Sequence, residues 1–286
     1  MITLLCKCCS EKARIEAVTE IGQATKQLIE EGFCVVDGEL PAGQLDILRG
    51  WSDDWLDNTE FPAKWKYQGS DIKLRGTKTG GATANNFESD AMVDFLIEHP
   101  DKILKRLGLY DFGSIGLFQI IAKPGRSPGL YWHQDWMKWN DPVSLSPWCQ
   151  TVFLNWYLTD TNRKNGCLRV IPGSHRRRVD LHQHLIPPHE GGGYEVDETN
   201  EWMFQDHPDA VDVDVRAGQL VIADARLLHG THPNTTDERR TLLLGWFFRR
   251  DTRPPKWWSD DVPEEIVDRD PLLKTKWTRQ PGGYLR

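Results

Sequence analysis

An α+β fold, with helices first and a double-sheet jelly roll after them, follows from two features of this 286-residue sequence. Helical periodicity is confined to the region before about residue 110. From residue 115 onward, short apolar strand-like runs follow one another, and glycine- and proline-rich turns separate them. Runs of that length and spacing mark a sandwich or barrel.

Each element has its own warrant. Residues 10–31 are expected to form a helix, because Ile15, Val18, Ile21, Ala24 and Leu28 recur at close to the helical period. Ser10 can cap that helix and Gly32 can end it. Residues 33–36 read as a short strand. Residues 41–56 read as a second helix with Pro41 in its first turn. Residues 64–86 are polar and glycine-rich, which suits loop with short strand pieces. Residues 89–107 carry one or two helices. Strands are then expected over residues 115–123, 130–133, 151–159, 167–171, 211–215, 219–223 and 241–248. Residues 175–209 form a loop long enough to be functional or disordered, and it holds Gly191-Gly192-Gly193. Residues 251–286 read as a surface tail. The expected organisation is one domain over 1–286, with mainly helical support over 1–110, a jelly-roll core over 111–250 and the tail over 251–286.

Composition narrows the function. The net charge of −7 argues against nucleic acid as a partner, since phosphate binding needs a positive footprint. No apolar run approaches the roughly 20 residues of a membrane span. The first six residues are too short for a signal-peptide core, so the chain is expected to be cytoplasmic, as a monomer or homodimer. Its six cysteines then read as reduced thiols, with Cys6, Cys8 and Cys9 at a frayed end. Thirteen tryptophans suggest an aromatic-lined core or cleft.

The chemistry concentrates in Leu130-Tyr131-Trp132-His133-Gln134-Asp135-Trp136. In extended backbone, residues i and i+2 project to one side. An imidazole and a carboxylate on one side make two of the three ligands of a non-haem Fe(II) facial triad. His-x-Asp occurs three times, at His99, His133 and His207. Proline separates the pair at His99 and His207, which reads as a helix start or turn. Only His133-Gln134-Asp135 follows a strand-like run. His229, after the strand expected over 219–223, is the third ligand candidate, and His232 competes for the role. Arg240 tips the choice to His229. It alternates with Leu242, Leu244 and Trp246, so a strand burying those three carries Arg240 to the inner face. A buried guanidinium needs an anion, and a small dicarboxylate supplies one.

These segments, together with Asn165-Gly166-Cys167-Leu168-Arg169-Val170-Ile171-Pro172-Gly173-Ser174-His175 and His229-Gly230-Thr231, resemble the phytanoyl-CoA hydroxylase family of Fe(II)/2-oxoglutarate oxygenases. The resemblance covers roughly residues 118–248. It implies a double-stranded β-helix, iron held by His133, Asp135 and His229, and the distal carboxylate of 2-oxoglutarate held by Arg240 with Thr231. Gln119, Asn155 and Lys78 are further expected to touch co-substrate or substrate, and Trp136 and Lys138 to line the substrate mouth. With O2, such a site oxidises a C–H bond of a small molecule by hydroxylation, desaturation or cyclisation, and releases succinate and CO2. Asp135 argues against halogenation, because related halogenases lack that carboxylate. The competing reading is a cupin-like sandwich that binds a metal or ligand without redox chemistry. Such a protein has no need of the Arg240 clamp.

Overall fold

Alternating side chains sort themselves onto the two faces of a sheet, and here both faces are buried. The computed structural model describes residues 21–58, 66–67, 70–76, 91–110, 112–135, 149–177, 179–184 and 200–249. In chain order its elements are α1 (Ile21–Glu31), β1 (Phe33–Asp37), α2 (Gln44–Asp57), β2 (Lys66–Tyr67), β3 (Ser70–Gly76), α3 (Ala91–Arg106) and β4 (Phe112–Lys123). There follow β5 (Leu130–His133), β6 (Thr151–Tyr157), β7 (Leu168–Val170), β8 (Val211–Val213), β9 (Gln219–Asp224), β10 (His229–Thr231) and β11 (Arg240–Arg249). Seven strands form a major sheet in the order β1-β9-β6-β11-β4-β3-β2, and four form a minor sheet in the order β5-β10-β7-β8. Every neighbouring pair is antiparallel. This is the expected jelly roll with helices preceding it.

The outer face of the major sheet carries Phe118, Ile120, Leu154, Trp156, Ile222, Leu243 and Phe247. Leu28 of α1, Leu48 and Leu56 of α2, and Leu96, Ile103 and Leu104 of α3 cover it. Each such side chain contributes about 1.5–3 kcal/mol by leaving water. The inner face carries Val35, Phe153, Val221, Leu242 and Leu244, which meet Leu168, Val170 and Val213 of the minor sheet. The helices thus seal one face, and the space between the sheets is left for the site.

Three expectations need adjustment. Pro100 was expected at a helix start or turn, yet it lies inside α3. Its missing N–H costs the helix about 3 kcal/mol. The buried row Leu96, Ile103 and Leu104 outweighs that by holding both halves of α3 in the core. The long loop over 175–209 contains short 3-10 turns at Asp180–Gln183 and Glu201–Met203. His229–Thr231 is a strand where none was expected, because a segment so short has no readable period and forms only by pairing on both edges, with β5 and β7. The first-helix residues 10–20, the glycine run 191–193 and the tail 251–286 lie outside the described residues. Among the described residues no helix is long and apolar enough to cross a membrane.

Candidate metal centre and anion pocket

β5 and β10 are neighbours in the minor sheet, and His133 pairs directly with His229 across them. Their ring centroids are 4.1 Å apart. Each ring is oriented by a carbonyl two residues earlier: His133 Nδ1 lies 3.0 Å from the Tyr131 oxygen, and His229 Nδ1 lies 2.9 Å from the Leu227 oxygen. A carbonyl only accepts, so each Nδ1 carries the proton and each Nε2 keeps its lone pair. Both Nε2 atoms face one carboxylate oxygen, Asp135 Oδ1, at 3.5 and 3.8 Å. Two imidazole donors and a carboxylate oxygen, all within 4.8 Å of one another, suit a shared cation.

The electrostatics agree with that donor set. Burial pulls the His229 pKa down to about 4, and the neighbouring His133 adds to the effect. His229 is therefore neutral near pH 7, the form that ligates a metal. Burial by itself would raise the Asp135 carboxyl, but the His229 and His133 imidazoles and the Trp246 indole outweigh it and hold the carboxyl at about 2. Trp246 Nε1 donates to Asp135 Oδ2 at 3.2 Å. That bond occupies the outer oxygen and leaves Oδ1 turned towards the histidines. The alternation along β11 placed Trp246 inside, but gave no sign of this bond.

A set of polar ties joins the two ligand-bearing segments. Gln134, between His133 and Asp135 just after β5, donates through Nε2 to the Arg226 carbonyl, on the turn that leads into His229. That turn is closed by a buried ion pair. Arg226 Nε and backbone N both lie 2.9 Å from Asp224 Oδ1, and Arg226 Nη2 lies 2.5 Å from Oδ2. The Pro172-Gly173-Ser174-His175 turn supplies the other side. Ser174 Oγ accepts from the Leu228 N–H at 2.9 Å, Gly173 N donates to the Glu31 carbonyl, and His175 Nε2 lies 3.0 Å from the Ile29 carbonyl. Gly32 is required at this junction, because its φ is +90° and a Cβ would come within 2.4 Å of His175 Nδ1. A turn legible only as a motif thus ties α1 to the residue before His229.

His232, the rival ligand candidate, belongs to another cluster. Its Nε2 lies 2.7 Å from Asp212 Oδ1, and Cys167 completes a second trio of donor atoms within 4.8 Å. Arg163 is already there, with Nη1 3.0 Å from Asp212 Oδ2 and 3.1 Å from His232 Nε2. A guanidinium at that place supplies the positive charge a metal would bring.

Arg240 lies on the inner face, as the alternation predicts. It is 2% exposed, and its Nε and Nη1 have no hydrogen-bond partner. Its guanidinium carbon is 5.9 Å from the centre of the Tyr157 ring. A buried guanidinium with two unmatched N–H groups is complementary to a carboxylate. Thr231 points to the same space between the sheets, and its hydroxyl accepts from the Leu130 N–H at 3.1 Å. Gln119 and Asn155 share one row of the inner face, on either side of Leu244. Asn155 Oδ1 is buried without a partner. Lys78, Trp136 and Lys138 lie outside the described residues. Sequence reasoning passed over Lys123, which sits opposite Arg240.

Fold and site together define a jelly-roll protein in which two histidines and a carboxylate converge between the sheets, with a buried, unpartnered arginine on the inner face. Residues 29–242 match the family model of phytanoyl-CoA dioxygenase (PhyH), and the chain belongs to that family. It is 28% identical over 175 residues to dioxygenase af480 of Aspergillus fumigatus, covering 58% of this chain and 47% of that protein. It is 26% identical over 158 residues to the ectoine dioxygenase of Bordetella parapertussis, covering 51% of this chain and 50% of that protein. The chain thus spans about half the length of the curated relatives it matches. Among solved structures, the epimerase SnoN in complex with Fe3+, alpha ketoglutarate and nogalamycin RO shares the fold. Its TM-score is 0.57 at 18% identity, over 80% of this chain and 83% of that one.

Proposed function

We propose that this chain is a non-haem Fe(II)- and 2-oxoglutarate-dependent dioxygenase that oxidises a C–H bond of a small molecule and releases succinate and CO2. The observation that carries the reading is the pairing of two features between the same sheets. Two carbonyl-locked imidazoles and a carboxylate converge on one point. A buried guanidinium with unmatched N–H groups faces the same interior. His133, Asp135 and His229 hold the iron, and Arg240 holds the distal carboxylate of 2-oxoglutarate with help from the Thr231 hydroxyl. Iron and 2-oxoglutarate together supply the means of activating O2 for C–H oxidation.

The chain's own residues do the rest. The Tyr131 and Leu227 carbonyls fix the tautomers of the two histidines. Trp246 directs one oxygen of Asp135 inward. The inner-face residues Phe153, Leu242 and Leu244 exclude water from the interior. Gln119 and Asn155 face the same space and orient co-substrate or substrate. Relatives named for ectoine and hypophosphite support a small molecule as substrate. Helical support, sandwich and tail are read as one oxygenase domain over 1–286. A non-redox cupin-like protein would have no use for an unpartnered arginine in this place.

The test is anaerobic addition of Fe(II) and 2-oxoglutarate. A weak visible charge-transfer band is expected in the wild type and is expected to disappear in Asp135→Ala. A wild type without the band, or a variant that keeps it in full, would overturn the reading.

A further inference from the structure

Among the described residues β5 pairs only with β10, so it is an edge strand of the minor sheet. Its register slips: His133 faces His229, yet Leu130 instead of Tyr131 faces Thr231. Two residues, Tyr131 and Trp132, therefore oppose one, Gly230, which is a β-bulge. A bulge disrupts the ladder where it falls. The carbonyl that orients the His133 ring belongs to Tyr131, inside this bulge. Groups outside the regular ladder have to hold that carbonyl in place.

Side chains supply the hold. Arg169 of β7 pairs with Gly230 on the other edge of β10. Gly230 has no side chain, and a Cβ there would come within 2.9 Å of the Leu130 oxygen and 3.0 Å of the Tyr131 oxygen. The Arg169 guanidinium reaches across β10 and lies over the Trp132 ring, 4.4 Å from its centre. Both side chains are buried. Both also grip one strap of chain. Trp132 Nε1 lies 2.9 Å and Arg169 Nη1 3.3 Å from the Gln205 carbonyl oxygen, and Arg169 Nη2 lies 2.9 Å from that of Phe204. The Phe204 ring meets the Tyr131 ring edge-on, with centroids 6.4 Å apart. His229 is braced by other groups, Ser174 and Gln134.

We propose that Arg169 is a positioning residue of the metal centre, clamping Trp132 and the Phe204–Gln205 strap so that the bulge keeps the Tyr131 carbonyl on His133. The assignment rests on the reading of His133 as a metal ligand. A guanidinium suits the task, because it stacks through its flat face and donates through its edge. The rival role is surface cohesion: Arg169 would only end the chain of ion pairs that runs through Asp206 to Arg163.

Substitutions separate these roles. Arg169→Met removes the clamp, and Asp206→Asn breaks only the chain of ion pairs. One readout is the tautomer of each histidine in the metal-free protein, from long-range 1H–15N correlations with 15N-labelled histidine. The other is Co(II) affinity, from the visible spectrum of the bound ion. In the wild type His133 and His229 are both expected to carry the proton on Nδ1. In Arg169→Met, His133 is expected to lose its single tautomer while His229 keeps its own. The Co(II) dissociation constant is expected to rise about tenfold, the lower end of what outer partners of a metal ligand are worth. Asp206→Asn is expected to match the wild type in both readouts. Unchanged tautomers in Arg169→Met, equal loss at both histidines, or the same response in Asp206→Asn overturns the proposal. If Arg169→Met does not fold, Trp132→Phe decides, since it keeps a ring under the guanidinium and removes the bond to Gln205. Loss confined to His133 supports the clamp, and a wild-type His133 signal overturns it. A wild type that takes up no Co(II) sinks the metal-centre reading itself, which is a different outcome from any result with the tautomers.

Discussion

The trio His133, Asp135 and His229 and the trio Cys167, Asp212 and His232 each bring three donor atoms within 4.8 Å of one another. They differ in their partners. In the first, backbone carbonyls take the Nδ1 protons, and the carboxylate accepts from a neutral indole. In the second, Arg163 lies against both the carboxylate and the imidazole, and burial pushes the Cys167 thiol up to about 12. A protonated thiol and a resident guanidinium do not welcome a metal ion, whereas two imidazoles whose Nδ1 atoms face carbonyls, beside an ionised carboxylate, do. Donor types and their closeness are therefore not enough. Neighbouring groups decide whether the lone pairs are available.

The largest effect that could break this contrast is loss of metal. Asp135→Ala is expected to abolish Fe(II) binding and succinate formation, whereas Asp212→Ala keeps one iron per chain by metal analysis. Iron lost equally from both variants would erase the distinction. Next comes the anion pocket. Arg240→Ala is expected to raise the 2-oxoglutarate requirement about tenfold or more, from the loss of about 2–5 kcal/mol, with Fe(II) affinity little changed. An unchanged requirement would remove Arg240 from the site. A smaller effect belongs to Trp246→Phe, which keeps the ring and removes the donor to Asp135. Such outer partners are worth about 10- to 100-fold in metal affinity, which a competition titration with a chelator would read.

The smallest effect concerns the second trio. Burial opposes ionisation of Asp212, but hydrogen bonds from His232 and Arg163 prevail and hold its carboxyl well below the ordinary range. A depressed carboxylate adds stability that is present above its unfolded value, near 3.9, and is lost as pH falls towards the folded value. Arg163 is half-exposed, so Arg163→Ala is expected to cost about 0.2–1 kcal/mol at pH 7. Urea midpoints of variant and wild type should converge as pH drops below about 4. A gap that widens towards acid would contradict the pairing.

Much of this site could be read from the chain. The spacing of His133 and Asp135 after an apolar run identified two donors. Alternation from Arg240 through Trp246 put the guanidinium inside, because a strand cannot bury Leu242 and Leu244 without turning Arg240 the same way. His229 and His232 were harder to separate, since both follow the same strand and neither has a period of its own. Pairing with β5 and β7 separates them in space: His229 faces His133, and His232 joins Asp212. Lys123 was missed because lysine is normally solvated, so its place opposite Arg240 had no signal in composition or period.

What the sequence determined by itself is local and periodic. It gave helices before strands, the inner and outer faces of each strand, and the residue types able to bind a metal and a diacid. These depend on nearest neighbours and on the geometry of a single strand. What the tertiary structure decided depends on contacts across the sheets. It set His229 beside His133 and His232 beside Asp212, gave Trp246 to Asp135, tied Gln134 and Ser174 to the His229 turn, and set Lys123 against Arg240. Those pairings join residues 54 to 117 positions apart. No sequence period reaches that far, because only strand pairing and the packing of turns against the sheets bring such residues together.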